Sequence, residues 1–103
     1  MSQRTAFVLR VRPERLDEYV AAHRAVWPEM LEALRAAGIR NYSIFRDGDR
    51  MFGYFEADDL EAAGRYLAEQ EVVSRWQDAM AELLEERVPE DGPPPLEEIF
   101  RLD

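Results

Sequence analysis

Between Ile39 and Ala57 the chain reads IRNYSIF, RDGDR, MFGYFEA. Two runs rich in β-formers, Ile39–Phe45 and Met51–Ala57, flank a polar Asp-Gly turn, which predicts an antiparallel hairpin. This hairpin lies mid-chain, with helical periodicity on both sides and a further β-rich run near each end. TAFVLRV, Thr5–Val11, reads as the first strand, and LEEIFRL, Leu96–Leu102, as the last. The order is strand, helix, strand, strand, helix, strand. That is the ferredoxin-like βαββαβ pattern of the α+β class, an antiparallel sheet with helices on one face.

The helical segments carry their own punctuation. Pro13 opens the first at a position where a missing N–H costs nothing. Leu16, Tyr19, Val20 and His23 then fall at i, i+3, i+4 and i+7, one face of a helix. Pro28 cannot donate to the turn behind it and predicts a break near Val26–Trp27. A second piece, Pro28–Ala37, carries Met30, Leu31 and Leu34 and stops at Gly38. The second helical region is predicted over Asp59–Glu86 with a break near Glu69–Glu71. One face of its later half holds Val72, Val73, Trp76, Met80, Leu83 and Leu84. VPEDGPPP, Val88–Pro95, is a loop, because its prolines lack donors.

A single layer of helices covers one face of a sheet. Phe7, Leu9 and Val11, with Phe52 and Tyr54, are expected to supply an apolar uncovered face. Two such sheets packed face to face in a homodimer, a dimeric α/β barrel, would cover it.

The chain has 103 residues, enough for one domain over 1–103 with a single core. It has no cysteine, and its 13 basic residues are all arginine. Disulfides, thiolate catalysis, cysteine-based metal centres and lysine Schiff bases are thereby excluded. One histidine rules out a His-rich metal site; a carboxylate-bound divalent ion stays open, but Asp47–Asp49 reads as a hairpin turn rather than a ligand set, and no metal or cofactor is expected. The net charge of −9 argues against a nucleic-acid partner. Residues 1–50 hold 9 Arg against 7 acids, and residues 51–103 hold 4 against 15. No apolar run approaches the length of a membrane span, and the N-terminus lacks the features of a signal peptide. A cytoplasmic location is the expectation.

The only histidine lies in EYVAAHRAVWPEM, residues 18–30. A lone histidine on an apolar helix face is more often packing than chemistry. Its imidazole nevertheless titrates near neutrality and can both give and take a proton. Tyr19, one turn earlier on the same face, brings a hydroxyl beside it. Tyr42, mid-strand in NYSIF, is either ordinary strand packing or a hydroxyl aimed into the cleft between sheet and helices. Trp76 is either core or an aromatic platform for the C–H face of a sugar. One proton shuttle, phenols and an aromatic wall suit a neutral polyol better than an anion or a long apolar ligand.

Taken together, AFVLRV, the H-x-x-x-W-P-E core of EYVAAHRAVWPEM, NYSIF, VVSRWQDAM and LEEIFRL occur in an order and spacing that resemble the L-rhamnose mutarotase family over nearly the whole chain. The resemblance implies a ferredoxin-like homodimer that interconverts the α and β anomers of L-rhamnose, an isomerase needing no cofactor. By position it implies His23 as proton donor, Tyr19 and Tyr42 as substrate-binding tyrosines, and Trp76 as the first of an aromatic pair. This chain has Gln77 where the family pattern has a second tryptophan. Gln77 is therefore expected at the rim of the site, contacting a sugar hydroxyl, with the preference among 6-deoxy sugars open. Two other classes fit the same outline: a small ferredoxin-like oxygenase or haem-degrading protein, and a non-catalytic sugar-binding dimer.

Overall fold

The computed structural model describes residues 2–103. Three strands, β1 (Gln3–Arg10), β2 (Arg40–Asp47) and β3 (Arg50–Ala57), form an antiparallel sheet in the order β1-β3-β2. The expected hairpin is β2–β3. It turns through Gly48 at φ +63°, a backbone conformation that glycine adopts without steric cost.

Between β1 and β2 the chain makes a short 3-10 turn at Pro13–Arg15, then α1 (Leu16–Arg24) and α2 (Pro28–Ala36). The break falls where Pro28 requires it. Trp27, held at φ −55° and ψ 132° by the following proline, is extended, and Pro28 opens the new helix. Gly38 closes it in the left-handed region at φ +88°. After β3, Asp59 caps α3 (Leu60–Ala68) by accepting from the Ala62 N–H at 3.0 Å. α4 (Glu71–Ala81) follows the expected break. It is shorter than the predicted region ending at Glu86. Leu83 and Leu84 are delivered to the core instead by the turn that ends α4, both donating back to the Met80 carbonyl, with Leu84 bridged to Val11 just past β1. There Arg12 donates to the Leu83 carbonyl at 2.8 Å, and Glu85 donates to that of Arg10 at 3.0 Å.

Strand register fixes which residues share a face. Phe7 pairs with Gly53, and Leu9 with Met51, whereas Val8 pairs with Phe52 and Ala6 with Tyr54. Phe7 and Leu9 therefore cannot share a face with Phe52 and Tyr54, as the sequence reading had them. Phe7, Leu9 and Met51 turn toward the helices, where Met51 and Val11 join Tyr19, Met30, Val73, Trp76 and Met80 in the buried core. The Phe7 ring lies directly over Gly53, so close that a β-carbon there would stand 2.0 Å from it. The opposite face carries the cross-strand row Val8, Phe52 and Phe45, all exposed, Phe45 to 67 %. An open apolar face exists, built from the alternate residues.

The predicted last strand also needs correction. Leu96 donates to the Ala6 carbonyl at 2.8 Å, and Glu98 pairs with Arg4 at 2.9 Å, so the segment runs antiparallel along the free edge of β1. It forms no ladder. Ile99, Phe100 and Leu102 are 90 %, 78 % and 84 % exposed, little covered by the described residues.

Candidate active site

A cavity of about 610 Å³ opens between the inner face of the sheet and the helices, and His23, Tyr42, Trp76 and Gln77 all line it. The same four residues border a smaller recess of about 60 Å³, where Tyr19, Phe7 and Leu9 contribute walls. The five residues singled out from the sequence thus meet at one place.

α1 sets the first pair. Tyr19 and His23, four residues apart, are stacked neighbours with ring centroids 4.2 Å apart and planes at 31°. Nδ1 of His23 stands 2.9 Å from the backbone carbonyl of Tyr19. A carbonyl can only accept, so Nδ1 carries the proton and donates it. In the neutral ring Nε2 is then a bare lone pair. Burial lowers the His23 pKa from 6.5, opposed by the hydrogen bond to Tyr19. The resting imidazole at pH 7 is neutral, and its free nitrogen is a base.

α4 supplies the indole wall. Trp76 presents an edge-on contact to His23 at 5.5 Å between centroids and another to Trp27 at 5.0 Å. It belongs to the buried core at 7 % exposure and also lines the cavity. Gln77, half-buried on the same helix, also borders the cavity.

Tyr42 owes its setting to an irregularity in β2. Arg40 pairs with Glu56 and Ser43 with Tyr54, so one extra residue is absorbed between them. The bulge contains Asn41 at φ +52°, a left-handed conformation that asparagine tolerates better than most residues. Its amide donates to Glu56 at 2.9 Å, and Glu56 also accepts from the Tyr54 hydroxyl at 2.6 Å. Tyr42 stacks beside Phe55 at 5.0 Å and meets the edge of Phe7 at 6.2 Å. It is 39 % exposed, yet the exposed part opens on the cavity and the phenol is ringed by protein. That burial raises its pKa, and burial likewise raises that of Tyr19 to about 12. Both phenols remain protonated donors at neutral pH.

The loop after α4 closes one side. Arg87 pairs with Asp78 and with Glu90, anchoring the loop to α4. Gly64 in α3 lets the Asp91 carbonyl come close: a β-carbon there would lie 2.8 Å from that oxygen. Neither Asn41 nor the Gly64–Asp91 contact was singled out from the sequence. The Asn before an aromatic strand residue was the only available signal for the bulge. No arginine lines either space; the charged residues bordering the larger one are Glu61, Glu90 and Asp91. The arrangement suits a neutral ligand, hydrogen-bonded by phenols and an amide and served by one proton carrier.

A family model described as L-rhamnose mutarotase matches residues 4–102. The L-rhamnose mutarotase of Bacillus subtilis (strain 168) is 40 % identical, over 98 % of this chain and 99 % of the relative. That of Burkholderia orbicola (strain MC0-3) is 42 % identical, over 95 % and 96 %. The crystal structure of an L-rhamnose mutarotase from Formosa agariphila superposes with a TM-score of 0.76 at 31 % identity, covering 98 % of this chain and 99 % of that one.

Proposed function

The chain belongs to the L-rhamnose mutarotase family, and we propose that it interconverts the α and β anomers of L-rhamnose with His23 as its proton carrier. The observation that carries the assignment to His23 is the bond from Nδ1 to the Tyr19 carbonyl, which leaves Nε2 as the unprotonated nitrogen of a ring that lines the cavity.

Mutarotation opens the hemiacetal ring, rotates about the C1–C2 bond and recloses. Neutral Nε2 takes the proton of the anomeric hydroxyl. The resulting alkoxide collapses to the aldehyde and breaks the bond from C1 to the ring oxygen, which receives the proton from the imidazolium. Both oxygens are attached to C1, so one nitrogen serves both in turn. His23 is then a base first and the proton donor second. After rotation the same steps run in reverse on the other carbonyl face. Charge and protons balance without a further group.

Tyr19 and Tyr42 donate to sugar oxygens, Trp76 offers an apolar surface to the C–H face, and Gln77 contacts a hydroxyl at the rim. A cytoplasmic location without a nucleic-acid partner belongs to the same reading. So does a homodimer, supported by the exposed row Val8, Phe52, Phe45 and the uncovered side chains of the C-terminal segment. Saturation-transfer NMR on equilibrated L-rhamnose tests the activity directly. Enzyme-dependent exchange between the two anomeric signals is the expected result, and its absence with folded protein would refute the reading.

A further inference from the structure

The cavity is larger than its proposed substrate. A monosaccharide displaces on the order of five or six waters, about 150–180 Å³ at ~30 Å³ per water. The space bordered by His23, Tyr42 and Trp76 is about 610 Å³. The surplus is apolar. It is bounded by Leu31 and Leu34 of α2, by Leu60 and Leu67 of α3, and by Ile39 and Phe55. A second sugar unit would lay most of its hydroxyls against these apolar side chains, with only Glu61, Glu90 and Asp91 at the border to accept from them, at a cost in affinity. An anionic tail such as a fatty acid would meet Glu61, Glu90 and Asp91 and no cation. Water alone would have few polar groups to bond.

We propose that this apolar arm admits a reducing 6-deoxyhexose bearing an uncharged apolar group on an oxygen remote from C1, as an ether or an ester. The anomeric hydroxyl and ring oxygen stay at His23, and the substituent lies among the leucines of α2 and α3. The reaction is the same ring opening, and the substituent takes no part in it. The inference rests on the proposed mutarotation and widens its substrate class.

The test measures anomer exchange of L-rhamnose and of its 3-O-benzyl and 4-O-benzyl ethers by saturation-transfer NMR. At least one ether is expected to show kcat/KM within about three-fold of L-rhamnose or above it. Leu34→Trp fills the arm, and should lower that ether's kcat/KM by roughly ten-fold or more while leaving L-rhamnose within about two-fold. Leu60→Phe reads the same space from α3 should the first variant fail to fold. Exchange of L-rhamnose with both ethers inert overturns the inference and leaves the mutarotase reading intact. Ether turnover indifferent to the folded filling variants also overturns it. Failure of wild-type protein to exchange L-rhamnose removes the reading on which the inference stands.

Discussion

His23 and Tyr19 share one helical turn and one hydrogen bond: the imidazole Nδ1 donates to the Tyr19 carbonyl at 2.9 Å, and the two rings lie 4.2 Å apart. The bond selects the tautomer, and the stacked phenol limits how the imidazole can swing. A ring held by the backbone of its own helix keeps one orientation and one tautomer at the edge of the cavity.

His23→Ala should therefore fold and lose anomer exchange by about a hundred-fold or more, the scale of general acid–base catalysis. Circular dichroism and saturation-transfer NMR on the same sample check this. Wild-type exchange in the folded variant would remove His23 from the mechanism.

The pH profile follows from the same group. Burial lowers the folded-state pKa of His23 below 6.5. The base form is present above that lowered pKa, so kcat/KM should be flat near pH 7–8 and fall only as the pH drops through it. Stability has the same sign. Between the two pKa values the unfolded chain binds the proton and the folded one does not. The His23 contribution, intact above the unfolded value, is thus lost as pH falls through the folded one. Exchange rates and denaturant midpoints over pH 5–8 should both decline on the acid side only; an exchange rate that rises with acidity contradicts a base at Nε2.

Tyr42→Phe should weaken sugar binding by about 1 kcal/mol, roughly five-fold in Kd, with little change in stability. The reason is that its accessible surface opens on the cavity. Sugar titration compared with denaturant midpoints decides the matter. An unchanged affinity with a lowered midpoint would assign the phenol to packing.

Gln77→Trp should move the ranking of L-rhamnose, L-fucose and L-mannose toward L-rhamnose, since position 77 borders both the cavity and the recess beside His23. Identical rankings in the two proteins would take Gln77 off the list of sugar contacts.

Light scattering at low micromolar concentration should give twice the 12.0 kDa chain mass. Phe45→Glu, at the most exposed residue of the open sheet row, should shift it toward the monomer. A wild-type monomer would dispose of the dimer.

Much of this was legible in the chain. The hairpin, the helix break at Pro28 and the stop at Gly38 are local effects of φ restriction and missing donors, which a sequence displays directly. His23 and Tyr19 were readable as a pair because four residues is one helical turn. The sheet faces were not, because strand parity depends on register, and register depends on which residues pair across strands. Phe7 and Phe52 look alike in sequence and lie on opposite sides of the sheet. The β propensity of Leu96–Leu102 was real, but a ladder needs a partner for its whole length, and the single chain supplies one backbone bond from Leu96. Leu83 and Leu84 kept helical spacing past the end of α4, because the closing turn still bonds both back to Met80 and so holds them on the same side.

Tyr42 and Phe45 are an odd number of residues apart, so β2 turns one toward the cavity and the other toward the open sheet face. The strand is a party wall between the cavity and the open apolar face of the sheet. Slippage of β2 by one residue would exchange the two sides, putting Phe45 into the cavity and Tyr42 outside. Asn41, tied to Glu56 of the adjacent strand, absorbs the extra residue of β2 immediately before Tyr42. A single alignment therefore decides which side chains would meet the proposed substrate and which the proposed partner, and neither set can shift without the other.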